Sequence, residues 1–384
     1  MKKAVYVSSG IWQFYYNNGI CCLMPGGTEE IIFKDGLDDF DVTADKEENI
    51  YILCQDSRNY FYLYWYDGTG WQNKCMLESN VEEVYNKNFS LVNVNGWLNA
   101  FYTVKHQDNT LIVHHIIYSE SEPEIVERSD NFKCYFSVSD LNGDIYCFFV
   151  RDRELGYKKY SWKDKKWSGY KGIFRFNEDV YNICASFDQN NDYHITCCVG
   201  EEGKYKVVYL NKDTVCEIIG GGYSELNPVI VLNEKIHILF DFAGRVLQAI
   251  SEDNGKSFLN AKYFFPGSFN KQGIVKIVSA SEYNGEINVT YTYGYETSYG
   301  KLVPSLAEEI KSIEKVNKVT ELKPEIEEFV EESRPGEPPK EYKKENDTDM
   351  LYKMIKVLTE RIDGLEKCLN DSRRINIVNQ KNEE

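Results

Sequence analysis

The chain has 384 residues with 44 basic against 61 acidic side chains, a formal net charge of −17, 42% hydrophobic residues and 14% aromatics. Such a charge repels phosphate backbones and anionic bilayers, which argues against nucleic acid or a membrane surface as the main partner. No run approaches the roughly 18 apolar residues of a membrane span, and the N-terminal "MKKAVYVSSG" has no signal-peptide apolar core.

A cytoplasmic location is therefore expected, with incorporation into a larger spore, surface or phage assembly left open. Eleven cysteines without Cys-x-x-Cys spacing read as reduced thiols in strands rather than as disulfides or zinc ligands. Neither metal nor cofactor is expected.

In chain order, apolar strand-like runs recur as "IWQFYYN" (11–17), "IYILCQD" (50–56), "WLNAFYTV" (97–104), "DIYCFFV" (144–150), "YHITCCV" (193–199), "IHILFDF" (236–242) and "INVTYTY" (287–293). A shorter run with small residues precedes each, as in "FDVTAD" and "YFSVSD", and a third run follows, as in "FYLYWYDG" and "YKVVYLN". Most units add a fourth, such as "WQNKCML". Four short strands per roughly 45 residues is the blade unit of a β-propeller, because one meander cannot cover both of its faces alone. The fold expected for residues 1–305 is an all-β, seven-bladed propeller, with six blades as the alternative. "AVYVSS" either opens the first unit or completes the last.

Past residue 305 the pattern turns helical in "SLAEEIKSIEKVNKV", and "ELKPEIEEFVEESRPGEPPKEYKKENDTD" then brings prolines and dense charge. Residues 306–349 read as a flexible linker. In 350–375, Ile355, Ile362 and Leu369 fall at heptad position a, and Leu351, Leu358 and Leu365 at d. This spacing predicts a C-terminal coiled-coil helix that makes a homo-oligomer, a dimer being favoured.

Between the third and fourth runs of one unit stands "SEDNGKSF", with Ser251, Asp253, Gly255, Ser257 and Phe258 at the spacing Ser-x-Asp-x-Gly-x-Ser-Phe. This resembles the Asp box of the sialidase-like propellers, with Ser for Thr and Phe for Trp. The resemblance covers eight residues. It implies a propeller fold in which the box is a structural turn on the face away from any site, and hydrolysis in that family needs an arginine triad, a Tyr-Glu pair and a general acid.

The loops between second and third strands carry Asp56, Arg58, His106, Asp108, Arg151, Arg153, Asp241, Arg245, Tyr295 and Glu296. They form the candidate ligand face. No Arg-Ile-Pro-like segment opens the chain, and loop charges are usually solvated. The function expected first is a non-catalytic interaction scaffold, made multivalent by its tail, that meets a protein or a glycan on this face. A lectin-like carbohydrate-binding propeller is the alternative, and a sialidase-like glycosidase the third. His114 and His115 adjoin on a strand, so their rings point to opposite faces and cannot chelate one metal.

Overall fold

The computed structural model describes residues 2–304 apart from 80–82, 118, 120–121, 202, 265–271, 281–286 and 297–301. The linker at 306–349 and the heptad at 350–375 lie outside the described residues.

The first unit contains β1 (Lys2–Val7), β2 (Gly10–Tyr16), β3 (Ile20–Leu23) and β4 (Glu29–Phe33). The second contains β5 (Gly36–Ala44), β6 (Ile50–Asp56), β7 (Phe61–Tyr66) and β8 (Trp71–Leu77). The third has β9 (Ser90–Val94), β10 (Trp97–His106), β11 (Asn109–Ile116) and β12 (Glu124–Ser129). The fourth has β13 (Tyr135–Ser139), β14 (Ile145–Arg151), β15 (Glu154–Ser161), β16 (Lys166–Trp167) and β17 (Lys171–Arg175). The fifth has β18 (Asp179–Phe187), β19 (Tyr193–Glu201), β20 (Lys204–Leu210) and β21 (Val215–Gly222). The sixth has β22 (Val229–Leu232), β23 (Ile236–Phe242), β24 (Arg245–Ser251) and β25 (Lys262–Tyr263), and the last has β26 (Gln272–Ala280), β27 (Ile287–Glu296) and β28 (Leu302–Pro304).

The strands are apolar on both faces because each blade lies between two others, and successive side chains enter opposite seams. Ile52 and Cys54 pack with Val5 and Phe14 of the first unit, whereas Leu53 packs with Leu91 and Tyr102 of the third. Cys197 joins Phe148 and Leu155 on one side, and Cys198 joins Ile238 and Phe240 on the other. Adjacent cysteines therefore serve two different cores, and the ten described cysteines are free thiols.

The inner strands β5, β9, β13, β18 and β22 follow one another around a central channel. Here the expectation of seven blades needs correction. The first and last units share a single seven-stranded sheet in the order β28-β27-β26-β1-β2-β3-β4, so the described residues form six sheets, a six-bladed β-propeller. The strand "AVYVSS" plays both of the roles considered for it, pairing antiparallel with β2 and parallel with β26.

The physical reason is that β1 and β26 both have the pattern of a first strand, and two first strands can meet edge to edge. In the parallel register Lys3 stands beside Lys276. A parallel pair requires a crossover connection, and here the whole ring supplies it. Five sheets thus offer the channel an edge, while the sixth offers a face, with Lys3, Ile274, Lys276, Val289 and Tyr291 among the lining residues. No helix among the described residues is long and apolar enough to cross a membrane.

Candidate functional site

The turns between second and third strands lie at the end of the ring where the inner strands begin, as the pairing of Gly36 with Asp56 shows. The sequence-predicted loop residues sit on separate hairpin tips there, and several are occupied by local partners. The Asp56 carboxylate accepts the backbone N–H groups of Arg58 and Tyr60 at 2.9 and 3.0 Å, and Arg58 grips it through Nη2 at 2.8 Å while stacking over Tyr60. Asp56 is 2% exposed, so this Asp-Arg pair shapes its own turn.

Arg151 and Arg153 diverge. Arg151 donates to Glu127 of the preceding blade at 2.8 Å and covers Tyr170, whereas Arg153 donates to Asp179 and Glu201 of the next blade at 3.1 and 2.7 Å. Both Asp152 and Arg153 have positive φ, 49° and 64°, a conformation that favours Gly or Asn. The Arg153 contacts hold the strained turn and staple two blades.

Asp241 accepts the Gly244 N–H at 3.1 Å, and Arg245 lies over the Tyr263 ring. His106 and Asp108 are exposed on their tip. Tyr295 and Glu296 end β27, and their side chains lie outside the described residues. With Arg58, Arg151 and Arg153 each committed to a carboxylate beside it, the structure does not assemble them into an arginine triad.

The channel brings together residues that loop reasoning missed. It has two chambers. The loop-side chamber, about 320 Å³, is lined by Lys3, Asp38, Asp39, Asn88, Tyr135 and Asn182 among others. The far chamber, about 630 Å³, opens among the turns between first and second strands, at Asn95 and Asn142. Between them Phe136 and Tyr291 reach across the axis to a T-shaped contact at 5.1 Å, and both line both chambers.

A buried ion cluster completes this partition. Lys276 Nζ donates to Asp41 Oδ2 at 2.6 Å and to the Leu91 carbonyl at 3.0 Å, the Leu91 N–H donates to the same carboxylate at 2.7 Å, and Lys3 Nζ stands 3.4 Å from its other oxygen. Burial works against the charge on Asp41, yet Lys276 and Lys3 outweigh it and hold the carboxyl below the usual range. Burial lowers Lys3 below an ordinary lysine, with Asp41 pulling the other way. Asp39 is pushed up by burial although it accepts the backbone N–H groups of Lys87, Asn88 and Phe89.

At the far end a repeated turn carries the polar groups. Asp140 Oδ1 accepts the N–H groups of Asn142 and Asp144 at 2.9 Å, Asp188 Oδ1 those of Asn190 and Asp192 at 2.9 and 2.8 Å, and Asp45 that of Asn49 at 2.9 Å. The carboxylate thereby satisfies N–H groups that the tight turn leaves unpaired. Asn191 ties one such turn to the next blade by donating to Asp140 and accepting the Leu141 N–H.

The stretch 251–258 lies between β24 and β25. Asp253 accepts the Ser257 N–H and hydroxyl at 2.9 and 2.6 Å, and the Gly255 N–H donates to Ser251 Oγ at 2.8 Å. Phe258 packs on Tyr209 of the preceding blade with ring centroids 4.9 Å apart. Among the described residues no group of three or more His, Cys, Asp or Glu side chains is placed to hold a metal ion.

No protein-family profile matches the chain, and no curated protein matches it by sequence. Among solved structures the chain is similar to the BP39L lectin of Burkholderia pseudomallei, at 9% identity and a TM-score of 0.52, covering 78% of this chain and 94% of that one. Weaker likenesses are to the Aleuria aurantia lectin, a six-bladed propeller, at 12% identity and a TM-score of 0.43 over 68% of this chain and 93% of that one, and to a PL25 ulvan lyase at 12% identity and 0.47 over 71% and 84%. What the chain shares with the first of these is its fold, a ring of β-sheet blades.

Proposed function

We propose that the protein is a non-catalytic binding propeller and that its loop-side chamber takes a carbohydrate. The observation that carries this reading is the lining of that chamber: the exposed side chains of Asp38, Asn88 and Asn227 line it together with Tyr135 and Tyr291. Hydroxyl-rich ligands need donors and acceptors in fixed positions over an apolar floor, and a concavity of about 320 Å³ suits a mono- or disaccharide unit. The commitment of Arg58, Arg151 and Arg153 to local carboxylates favours binding without hydrolysis. A lectin built on the same fold makes glycans the first class to test.

The test is a glycan array probed with the full chain, followed by Asp38→Ala and Asn227→Ala. Discrete glycan hits that both variants weaken about tenfold or more support the reading. An array without hits, or hits that ignore both substitutions, overturns it.

The heptad of Leu351, Ile355, Leu358, Ile362, Leu365 and Leu369 would pair two chains and give such a site avidity. Light scattering of the full chain against one ending at Pro335 checks this, two monomers being the refuting result.

A further inference from the structure

The charge balance of the loop-side chamber narrows the carbohydrate reading above, on which this inference rests. The charged side chains that line the chamber are Lys3, Asp38, Asp39 and Asp41. Lys3 is 5% exposed, stands 3.4 Å from Asp41 and lies over the Phe40 ring. Asp41 is 3% exposed and also accepts Lys276 Nζ and the Leu91 N–H. Asp39 accepts the backbone N–H groups of Lys87, Asn88 and Phe89, and its charge acts on Lys3. Lys3 and Lys276 are thus matched by Asp39 and Asp41 within the wall, and these charges are committed to one another.

Asp38 stands outside this balance. It is exposed and makes no hydrogen bond or ion pair with another side chain among the described residues. Its position follows from an irregularity in β5, where Gly36 pairs with Asp56 but Phe40 with Cys54, so that extra residues lie between the two pairs. Neighbouring side chains of a regular strand point to opposite faces. A bulge re-aims them, and Asp38 and Asp39 both line this one chamber. The Asn227 side chain is exposed there as well, while its backbone carbonyl accepts the Tyr293 hydroxyl at 2.7 Å.

The accessible charge of the chamber is therefore negative, in a chain whose net charge is −17. A carboxylate lining a concavity repels uronic and sialic acids and favours a ligand that brings a cation, since a charge-assisted hydrogen bond is roughly twice as strong as a neutral one. We propose that the carbohydrate taken by the loop-side chamber is an amino sugar, its ammonium group directed to Asp38 and its hydroxyls to Asn88 and Asn227.

The experiment is titration calorimetry of the full chain with a β-1,4-linked glucosamine trimer. Cellotriose, which has a hydroxyl where each ammonium stands, a hyaluronan fragment bearing carboxylates, and cyclohexylammonium, a cation without a sugar, serve as comparisons. The glucosamine trimer should bind at one site per chain and each comparison roughly tenfold or more weakly. Asp38→Asn, which keeps the shape and removes the charge, should bring the glucosamine trimer level with cellotriose. Asp213→Asn removes the same charge from an exposed turn at the other end of the ring and should leave binding unchanged, which separates a local contact from the attraction of an acidic chain.

Absence of binding by the glucosamine trimer, cellotriose binding as tightly, or a preference for the amino sugar that survives Asp38→Asn would each overturn this inference. Hits for neutral glycans on the array would then leave the carbohydrate reading standing, whereas an array without hits removes both. Cyclohexylammonium binding as tightly as the trimer would make the chamber a plain cation site and also overturn both. The comparison of ligands on the unaltered chain decides the matter even where Asp38→Asn fails to fold.

Discussion

Replacing Gly255 with alanine should destabilise the ring by more than the turn alone accounts for. Gly255 has φ +83°, and a Cβ at that position would lie 2.1 Å from the Tyr209 hydroxyl and 2.6 Å from two of its ring carbons. The left-handed backbone costs alanine about 1–2 kcal/mol. Tyr209 cannot simply step aside, since it is fully buried, shares a 2.6 Å hydrogen bond with His194 and accepts one from Asn211 at 3.0 Å. Breaking those bonds in a closed site adds about 1–3 kcal/mol, for a total of about 2–5 kcal/mol.

Gly244 supplies the control. Its φ is +75°, but a Cβ there meets nothing within 4 Å, so Gly244→Ala should show the backbone cost alone. Urea unfolding followed by tryptophan fluorescence measures both variants. Adding Tyr209→Phe to Gly255→Ala should recover part of the loss, because the hydroxyl makes the shortest contact. If Gly255→Ala costs no more than Gly244→Ala, the cross-blade clamp is not a stabilising contact.

Acid should weaken the ring through its buried histidines. His114 is buried between Phe101 and Tyr160 with Nε2 donating to Asn99 at 2.9 Å, and burial lowers its pKa to about 3. The unfolded chain takes up this proton near pH 6.5 and the folded ring refuses it until about pH 3, so stability falls through that window by up to about 1.4 kcal/mol per pH unit. His114→Gln should flatten the dependence of the urea midpoint between about pH 6.5 and about pH 5, with a residual slope from His194 and His237, which burial shifts in the same direction. Asp56→Ala should leave the Arg58 and Tyr60 N–H groups without their acceptor and lower stability by about 2–3 kcal/mol. Thermal unfolding of the variant checks this, and a midpoint equal to that of the parent chain would refute it.

The blades were legible because a strand buried on both faces is an unbroken apolar run, and "IYILCQD" or "YHITCCV" could hardly be anything else. The number of sheets was not. Lys3 and Lys276 lie in strands that both read as inner strands, and nothing local tells a chain that two such strands will pair with each other across the closure.

The same blindness hid the channel cluster. A lysine in a strand reads as solvent-facing until the fold places Asp41 opposite it. A clue was present in "KIV" and "KAV", where a lysine directly adjoins the apolar run of its strand. The loop arginines misled for the opposite reason. Their type suggested anion recognition, but the turns in which they stand also place Asp56, Glu127, Asp179 and Glu201 within reach, and an arginine beside a carboxylate is already paired.

The parallel seam also sets an order of events in time. Blades two to six can each zip from hairpins as the chain leaves the ribosome, but β1 is made early and its partner β26 only after all of them. Until then the edge of β1 that faces β26 offers unpaired N–H and C=O groups, the kind of edge that recruits a strand from a second chain. A nascent ring is thus most vulnerable to strand exchange just before it closes, and the late arrival of residues 272–280 is the step at which a chaperone or a crowded polysome would decide between a closed monomer and a swapped pair.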